Sequence, residues 1–443
     1  MKRFLYIILA ALLVFLPSCD DQKTTTAKSS VAKLSGFTFA KNDSMPGLAK
    51  AVFTIEERLD TGLVWNKDSM LYGTSLEKVV PKFTFAATPG SAYLRTTDTL
   101  CALTGYDTLN FTKQPIYLTI RSADSKNTKT YEICPTVHKV DPDLYAWTQI
   151  TDSIYPLDDS EQRVVRFNDL FVMITSNGFD LNVYASENAE EWIDLGDPTG
   201  LPDGTRVRQI ISTGDCLFYA QEDFVYTSDD AVTWIGHPVS FFVETMIFYW
   251  NNEVWALVDN NGQELAIWRE NDLALTGLKP EDDEFPVSDF ATVCFNSSSE
   301  RERAMVIGGF AENGRSLNTR WNFEYSRHIP ENSGYRIQEF SIDRPKFSNI
   351  TGASVIWYNN QLMMFGGVDE NMKYFGRDIL ISKDEGLNWT LADTTKNQLP
   401  EAYQARQKQN TIVLNNNIYL FGGQDAVHTY SDVYRGRLNS IDW

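Results

Sequence analysis

The sequence predicts an all-β protein: a β-sandwich over residues 34–142 followed by a six-bladed β-propeller over residues 143–443. Three observations predict it. Short segments of the first part alternate apolar and polar residues with period two, as half-buried strands do. In the second part a polar turn leads into an apolar strand six times. These strands start at Leu170, Leu217, Val254, Ala304, Leu362 and Ile418, spaced 47, 37, 50, 58 and 56 residues apart. A second marker follows the hairpins and ends at Trp192, Trp234, Leu275 and Trp389, with the first three 42 and 41 residues apart. A unit of that length with about four short strands buries its faces only when several are set in a ring.

The chain opens MKRFLYIILAALLVFLPSCDDQK. Lys2 and Arg3 precede an apolar run, Phe4 to Leu16, that is too short for a membrane-spanning helix and fits an export signal. Its end, Leu16-Pro17-Ser18-Cys19, resembles the lipobox of bacterial lipoproteins. That resemblance implies removal of residues 1–18 and a lipid on Cys19. Asp20 and Asp21 resemble the surface-export signal of Bacteroidetes lipoproteins. Residues 19–33 are polar and aperiodic and read as a flexible tether.

The whole chain has 39 Lys and Arg against 59 Asp and Glu, a net charge of −20. Loss of the signal removes Lys2 and Arg3 and leaves 37 basic residues against the same 59 acids. Such a balance excludes a nucleic-acid partner, which needs basic stripes to neutralise phosphates. It disfavours polyanions in general, save where a local basic pocket overrides it. Outside the cytoplasm a bridge between Cys101 and Cys134 is permitted, though unpaired buried thiols are the default. Metal-ligand spacing is absent, and no metal or cofactor is expected.

In the first domain Lys82–Ala86, Asp107–Phe111, Ile116–Ser122 and Lys129–Ile133 read as strands, punctuated by Pro and Gly. Within FTKQPIYLTIRSADSKNTKTYEI, Leu118, Ile120, Tyr131 and Ile133 would face inward, and Thr119, Arg121, Thr130 and Glu132 outward. This hairpin resembles the last two strands of the Ig-like modules that follow the anchor in Bacteroidetes surface lipoproteins.

In the second domain the pairs Gly308-Gly309, Gly366-Gly367 and Gly422-Gly423 end apolar strands and resemble kelch repeats, the blades of the galactose oxidase central domain. Two adjacent glycines let the backbone turn where a Cβ would clash. Asp432-Val433-Tyr434 aligns with Asp378-Ile379-Leu380, so the last blade lacks its outer strand, and Leu144–Ile150 looks like the missing piece. Pairing of the two would close the ring. The same alignment sets Trp443 on Trp389, so Trp147 and Trp443 compete for one position.

The stretch LISKDEGLNW spells Ser382-x-Asp384-x-Gly386-x-x-Trp389 and resembles the Asp-box of sialidases. Its residues read as structural: Asp384 caps the turn, Gly386 supplies positive φ, and Trp389 packs inside the blade. Counted back from the tryptophan, worn copies place Glu187 and Ala189, then Asp229 and Ala231, in the same slots. Sialidase chemistry also needs an arginine cluster, which spacing alone does not assemble from Arg163, Arg166, Arg206, Arg208 and the rest. The copper site of galactose oxidase has no counterpart in the dispersed His138, His237, His328 and His428. The acidic run Glu281–Glu284 reads as a solvated loop, with calcium binding as the lesser reading.

One segment is rich in contact-forming side chains. Trp321, Phe323, Tyr325, Arg327, His328 and Tyr335 crowd a long blade connection and suit carbohydrate or peptide recognition. The alternative is that they pack between blades. The whole reading is a lipid-anchored envelope protein, on the outer membrane and exposed at the surface or facing the periplasm. It presents its propeller as a non-enzymatic binding module for glycan or protein. A glycoside hydrolase or lyase working in the funnel, and a scaffold subunit of an outer-membrane assembly, are the alternatives. Oligomeric state is not legible.

Overall fold

The computed structural model describes residues 27–442 apart from 46, 60, 97–99, 104–107, 114, 155–160, 281–284, 298–300, 329–333 and 341–348. The signal, Cys19, Trp443 and the acidic run 281–284 lie outside the described residues. The chain divides between Asp141 and Pro142 into two compact units, described separately below.

The first unit holds β1 (Leu34–Phe39), β2 (Thr54–Glu57), β3 (Thr61–Trp65), β4 (Pro81–Phe85), β5 (Ser91–Arg95), β6 (Leu100–Ala102), β7 (Ile116–Arg121) and β8 (Thr128–Cys134). β1 pairs with β4, and the others form one sheet in the order β2-β3-β8-β7-β5-β6. Every pair is antiparallel except β3 with β8. The alternation of β7 and β8 has a direct cause: Leu118 faces Tyr131 across the ladder and Ile116 faces Ile133. These side chains and Ile120 are buried, while the Thr119 and Thr130 hydroxyls meet on the other face at 3.1 Å. Tyr131 then ties three segments together. Its hydroxyl accepts from the Leu34 amide at 3.1 Å and donates to Glu57 at 3.0 Å. Its ring lies where a Cβ on Gly62 would be.

One expectation changes here, and one open question closes. Of the strand expected over Asp107–Phe111, residue 107 lies outside the described residues and 108–111 form no strand: Leu109 makes an isolated bridge to Val79, and Phe111 plugs the core. Cys101 and Cys134 are not bridged to each other. They sit on β6 and β8, with β5 and β7 between, so about 14 Å of sheet separates them where a disulfide needs less than about 7 Å.

The second unit begins with β9 (Tyr145–Thr151). A four-stranded antiparallel sheet follows: β10 (Glu161–Phe167), β11 (Leu170–Ser176), β12 (Leu181–Ser186) and β13 (Ile193–Gly196). The next sheet has six strands: β14 (Ile211–Ser212), β15 (Leu217–Ser228), β16 (Ile235–Trp250), β17 (Glu253–Asp259), β18 (Gln263–Arg269) and β19 (Asp272–Leu275). It spans two sequence repeats, because β15 and β16 each run on past a break in register. Then come β20 (Ala291–Asn296), β21 (Glu302–Ile307), β22 (Arg320–Tyr325) and β23 (Tyr335–Glu339). The fifth repeat has β25 (Ser354–Tyr358), β26 (Gln361–Phe365), β28 (Leu380–Ser382) and β29 (Thr390–Leu391). A short pair, β24 (Ile350–Thr351) with β27 (Val368–Asp369), lies beside it. Last are β30 (Asn410–Leu414), β31 (Asn417–Gln424) and β32 (Thr429–Leu438).

The innermost strands pack neighbour to neighbour in a closed cycle: β10, β14, the second half of β16, β20, β25, β30, and back to β10. The six apolar runs found in the sequence are the strands beside them, β11, β15, β17, β21, β26 and β31. Four of their polar turns are tight because two adjacent residues take positive φ: Asn168-Asp169, Asn251-Asn252, Asn359-Asn360 and Asn415-Asn416. Asn tolerates that region, and the resulting turn matches the twist of a hairpin.

β9 closes the ring. It pairs antiparallel with β32, giving a sheet in the order β30-β31-β32-β9. Trp147 lies opposite Gly436, and its ring fills the space a Cβ there would take. Its indole donates to Asn397 at 3.2 Å.

The double glycines all have positive φ. A Cβ on Gly308 would overlap the Ile350 carbonyl, and one on Gly422 would overlap Gln162. Each pair therefore stands where the next repeat passes, and Gly309 and Gly367 donate their amides to Ile350 and Arg406 at 2.9 and 3.0 Å.

The box at residues 382–389 has the expected roles. Gly386 has φ 89° and donates its amide to Ser382 at 2.8 Å, Asp384 accepts from the Asn388 amide at 2.8 Å, and Trp389 donates to the Gly386 carbonyl at 3.1 Å. The worn copies need a correction. Their capping side chains are Asn188 and Asp230, not Glu187 and Asp229. Asn188 accepts from the Glu190 and Glu191 amides at 2.8 and 2.9 Å, and Asp230 from Val232 and Thr233 at 2.8 and 2.6 Å. The fifth repeat carries an extra residue, Glu385 (φ 57°), between serine and tryptophan, so counting from the tryptophan slips by one.

Burial pushes the Asp384 carboxyl up, but hydrogen bonds from Asn388 and Ser382 outweigh it and hold it below the ordinary 3.8. A folded carboxyl that resists protons stabilises above its unfolded value and loses that contribution as pH falls through its folded one. Asn188 fills the same slot in the first repeat, so Asp384→Asn is expected to fold. Its melting temperature should be lower than that of the wild type at neutral pH, with the gap closing as pH falls below 3.8 in a pH series of thermal melts.

Candidate functional site

The aromatic residues singled out in the sequence do not make a contact surface. Trp321, Phe323 and Tyr325 alternate along β22, a strand rather than a loop, and Tyr335 begins β23 beside it. Trp321 and Phe323 are only 2% and 1% exposed. Phe323 stacks edge-on against Phe248 at 4.9 Å, and Trp321 lies 5.6 Å from Phe285. Tyr335 is buried, its hydroxyl accepting from Asn251 at 2.7 Å, with Tyr325 half-buried on it at 5.1 Å. Arg327 and His328 are exposed in the turn after β22, on the outer side of the sheet. Period-two aromatics face one side of a strand, and here that side is the seam between the third and fourth repeats.

The central channel is different. Inner strands β10, β14, β16, β20, β25 and β30 enclose a cavity of about 500 Å³. An inner strand hydrogen-bonds to a neighbour on one edge only, so its other edge and its inward side chains face the axis. Ser212, Thr292, Ser354, Gln409 and Asn410 give the wall a polar character, with Ile211, Ile247, Phe290 and Val293 between them. The Cys294 thiol also lines it. It is exposed to the open space of the channel.

At the end where the inner strands begin, the channel opens into a pocket of about 290 Å³. This is also the end of the double glycines, since Ala291 at the head of β20 pairs with Ile307 just before Gly308. Arg163, Arg206, Arg208 and Lys408 meet there with Glu161 and Asp289. The Arg208 guanidinium lies 3.3 Å from Asp289 and donates to the Lys408 carbonyl at 2.6 Å. Lys408 Nζ lies 3.5 Å from both Glu161 and Asp289. Arg163 donates to the Ile210 carbonyl at 2.9 Å. Burial, with Arg208 nearby, pulls Arg163 down to about 10, and it remains a cation at neutral pH. Exposed Arg206 makes no ion pair among the described residues.

Among the described residues, Glu161 and Asp289 are the carboxylates that line this mouth. Their oxygens are no more than about 7 Å apart, since each lies 3.5 Å from the same ammonium. That separation suits a glycosidase. The Lys408 ammonium, however, occupies the space where a scissile bond would sit. No tyrosine lines this pocket among the described residues. Nor does any group of three His, Cys, Asp or Glu among them stand close enough to hold a metal ion.

Sequence reasoning saw these arginines only as scattered. Arg163 comes from β10, while Arg206 and Arg208 come from the connection before β14, about 40 residues later. A usable signal was present in the repeat itself. The residue two places before the inner strand is Asp289, Gly352 and Lys408 in the last three repeats. All three have positive φ, of 50°, 63° and 58°.

Fold and site together define a β-propeller with a charged mouth opening on a polar central channel, preceded by a smaller all-β domain. The chain belongs to the DUF6242 family. Residues 141–443 match the DUF6242 beta propeller domain, and residues 20–134 match the DUF6242 N-terminal domain, a domain of unknown function. No curated protein matches the chain.

Because Trp321 and Phe323 sit in the seam, replacing either with alanine is expected to cost about 3–5 kcal/mol of stability. Denaturant midpoints check this; a contact-surface role would leave them unchanged.

Proposed function

We propose that this protein is a non-enzymatic binding module of the cell envelope. A six-bladed, kelch-like propeller, carried on a lipidated Cys19, engages a glycan or a protein at the charged mouth of its channel. The carrying observation is that mouth: four cations and two carboxylates converge on a concave pocket continuous with a cavity of about 500 Å³. The closed cycle of six inner strands supports the blade count. A pocket of this size with convergent polar groups is where a propeller takes a ligand. The hydrolase or lyase reading draws on Glu161 and Asp289, and the ammonium between them weighs against it.

Thr292 lines both the pocket and the channel. Thr292→Trp should fill the cavity and abolish retention on a glycan or peptide array that holds the wild type, with the melting temperature nearly kept. Retention unchanged by a filled channel would place the site elsewhere. For the anchor, Cys19→Ala should move the protein from the membrane to the soluble fraction on centrifugation; a variant that stays with the membrane refutes lipidation at that residue.

A further inference from the structure

We infer that the ligand of the channel mouth carries a carboxylate on a sugar: the site takes an acidic monosaccharide residue of the uronate kind, as a chain end or a free sugar. The inference rests on the binding reading above and names its ligand class.

The first support is local charge. The chain as a whole is −20, yet its mouth gathers Arg163, Arg206, Arg208 and Lys408 with Glu161 and Asp289. Among the described residues the excess is two positive charges in one pocket. A polyanion would bring many charges against an acidic surface and be repelled. A single carboxylate meets only the pocket. Guanidinium groups hold a carboxylate through two parallel hydrogen bonds, which suits a planar anion better than a point charge.

The second support is backbone conformation. At the position two residues before the inner strand, the fifth repeat uses Gly352, the residue for which positive φ carries no penalty. The fourth and sixth repeats put Asp289 and Lys408 there instead, with φ 50° and 58°. The three are linked in sequence around the rim: Gly352 donates its amide to the Asp289 carbonyl at 2.8 Å, and Lys408 to the Gly352 carbonyl at 2.6 Å. The fold needs only the turn. A lysine in left-handed conformation is strained, and such departures gather at functional sites. What the two charged residues add is side chains at the mouth, where Lys408 reaches Asp289 and Glu161.

The third support selects a sugar over an acidic peptide. Below the cations the wall offers the partly exposed hydroxyls of Ser212, Thr292 and Ser354. A hydroxyl both donates and accepts, so it can exchange hydrogen bonds with the hydroxyls of a sugar. Phe290 lines the same space and offers an apolar face to a pyranose ring. A peptide would need a groove with room for a backbone on both sides; this is a pit.

The test is titration calorimetry on the mature chain with D-glucuronate, D-galacturonate, D-glucose, glucose 6-phosphate and N-acetylglutamate as probes. At least one uronate should bind saturably and more weakly at high salt, and glucose should not bind. Arg206→Gln removes an exposed charge and is expected to fold; it should weaken uronate binding about tenfold or more, as should Arg163→Gln. Arg336→Gln, on an outer strand, should leave it unchanged. No binding by either uronate overturns the inference, and so does tighter binding of glucose 6-phosphate or N-acetylglutamate. A uronate affinity indifferent to Arg206→Gln does the same. If neutral glycans bind and Thr292→Trp abolishes that binding while uronates fail, the channel-binding reading stands and only the ligand class falls.

Discussion

The pairing of β9 with β32 is the contact on which the second domain depends. A blade presents two apolar faces and an unpaired edge, and only a closed ring buries the faces. Here the first strand of the domain supplies the outermost strand of the last sheet, so both ends of the domain are held by one ladder. Trp147 shows how closely the two ends fit. It crosses to the last sheet, covers the bare backbone at Gly436, and reaches Asn397. Each repeat is packed against two neighbours, so the ladder that joins the two ends keeps the ring closed.

Closure also creates the site. The six inner strands bring their first residues to one rim, and residues far apart in the chain become neighbours there. Glu161 and Lys408 are separated by almost the whole domain, yet they lie 3.5 Å apart because the last repeat returns to the first. The double glycines act at the same rim. Their missing side chains let each repeat lean on the next, which narrows the mouth enough for charges from several repeats to meet.

The buried cluster around Arg406 shows that convergence of charge is not by itself a site. Its guanidinium is 1% exposed, paired with Asp432, and stacked 4.4 and 3.9 Å from the Tyr403 and Tyr430 rings. Every face is covered, so it braces the last repeat. The mouth differs because its cations border open volume and Arg206 makes no ion pair among the described residues. The aromatic set on β22 is covered in the same way. A run of Trp, Phe and Tyr spaced two apart looks identical in sequence whether it faces a neighbouring repeat or a ligand.

By itself the sequence determined the class of fold, the repeat, the hairpin alternation of Leu118, Ile120, Tyr131 and Ile133, and the strand that closes the ring. These are legible because they follow from local rules: period two, paired turn residues with positive φ, and glycines where a Cβ cannot fit. It also determined the roles of Ser382, Asp384, Gly386 and Trp389, which are contacts within one turn. Tertiary structure alone decided that Asn188 and Asp230, rather than their neighbours, cap the earlier turns, since one inserted residue shifts the count. It decided as well that Trp321 and Phe323 are core and that Arg163, Arg208, Asp289 and Lys408 share a pocket. The physical reason is the same for each: those facts depend on which repeat lies beside which, and ring closure sets that across sequence separations that no local pattern spans.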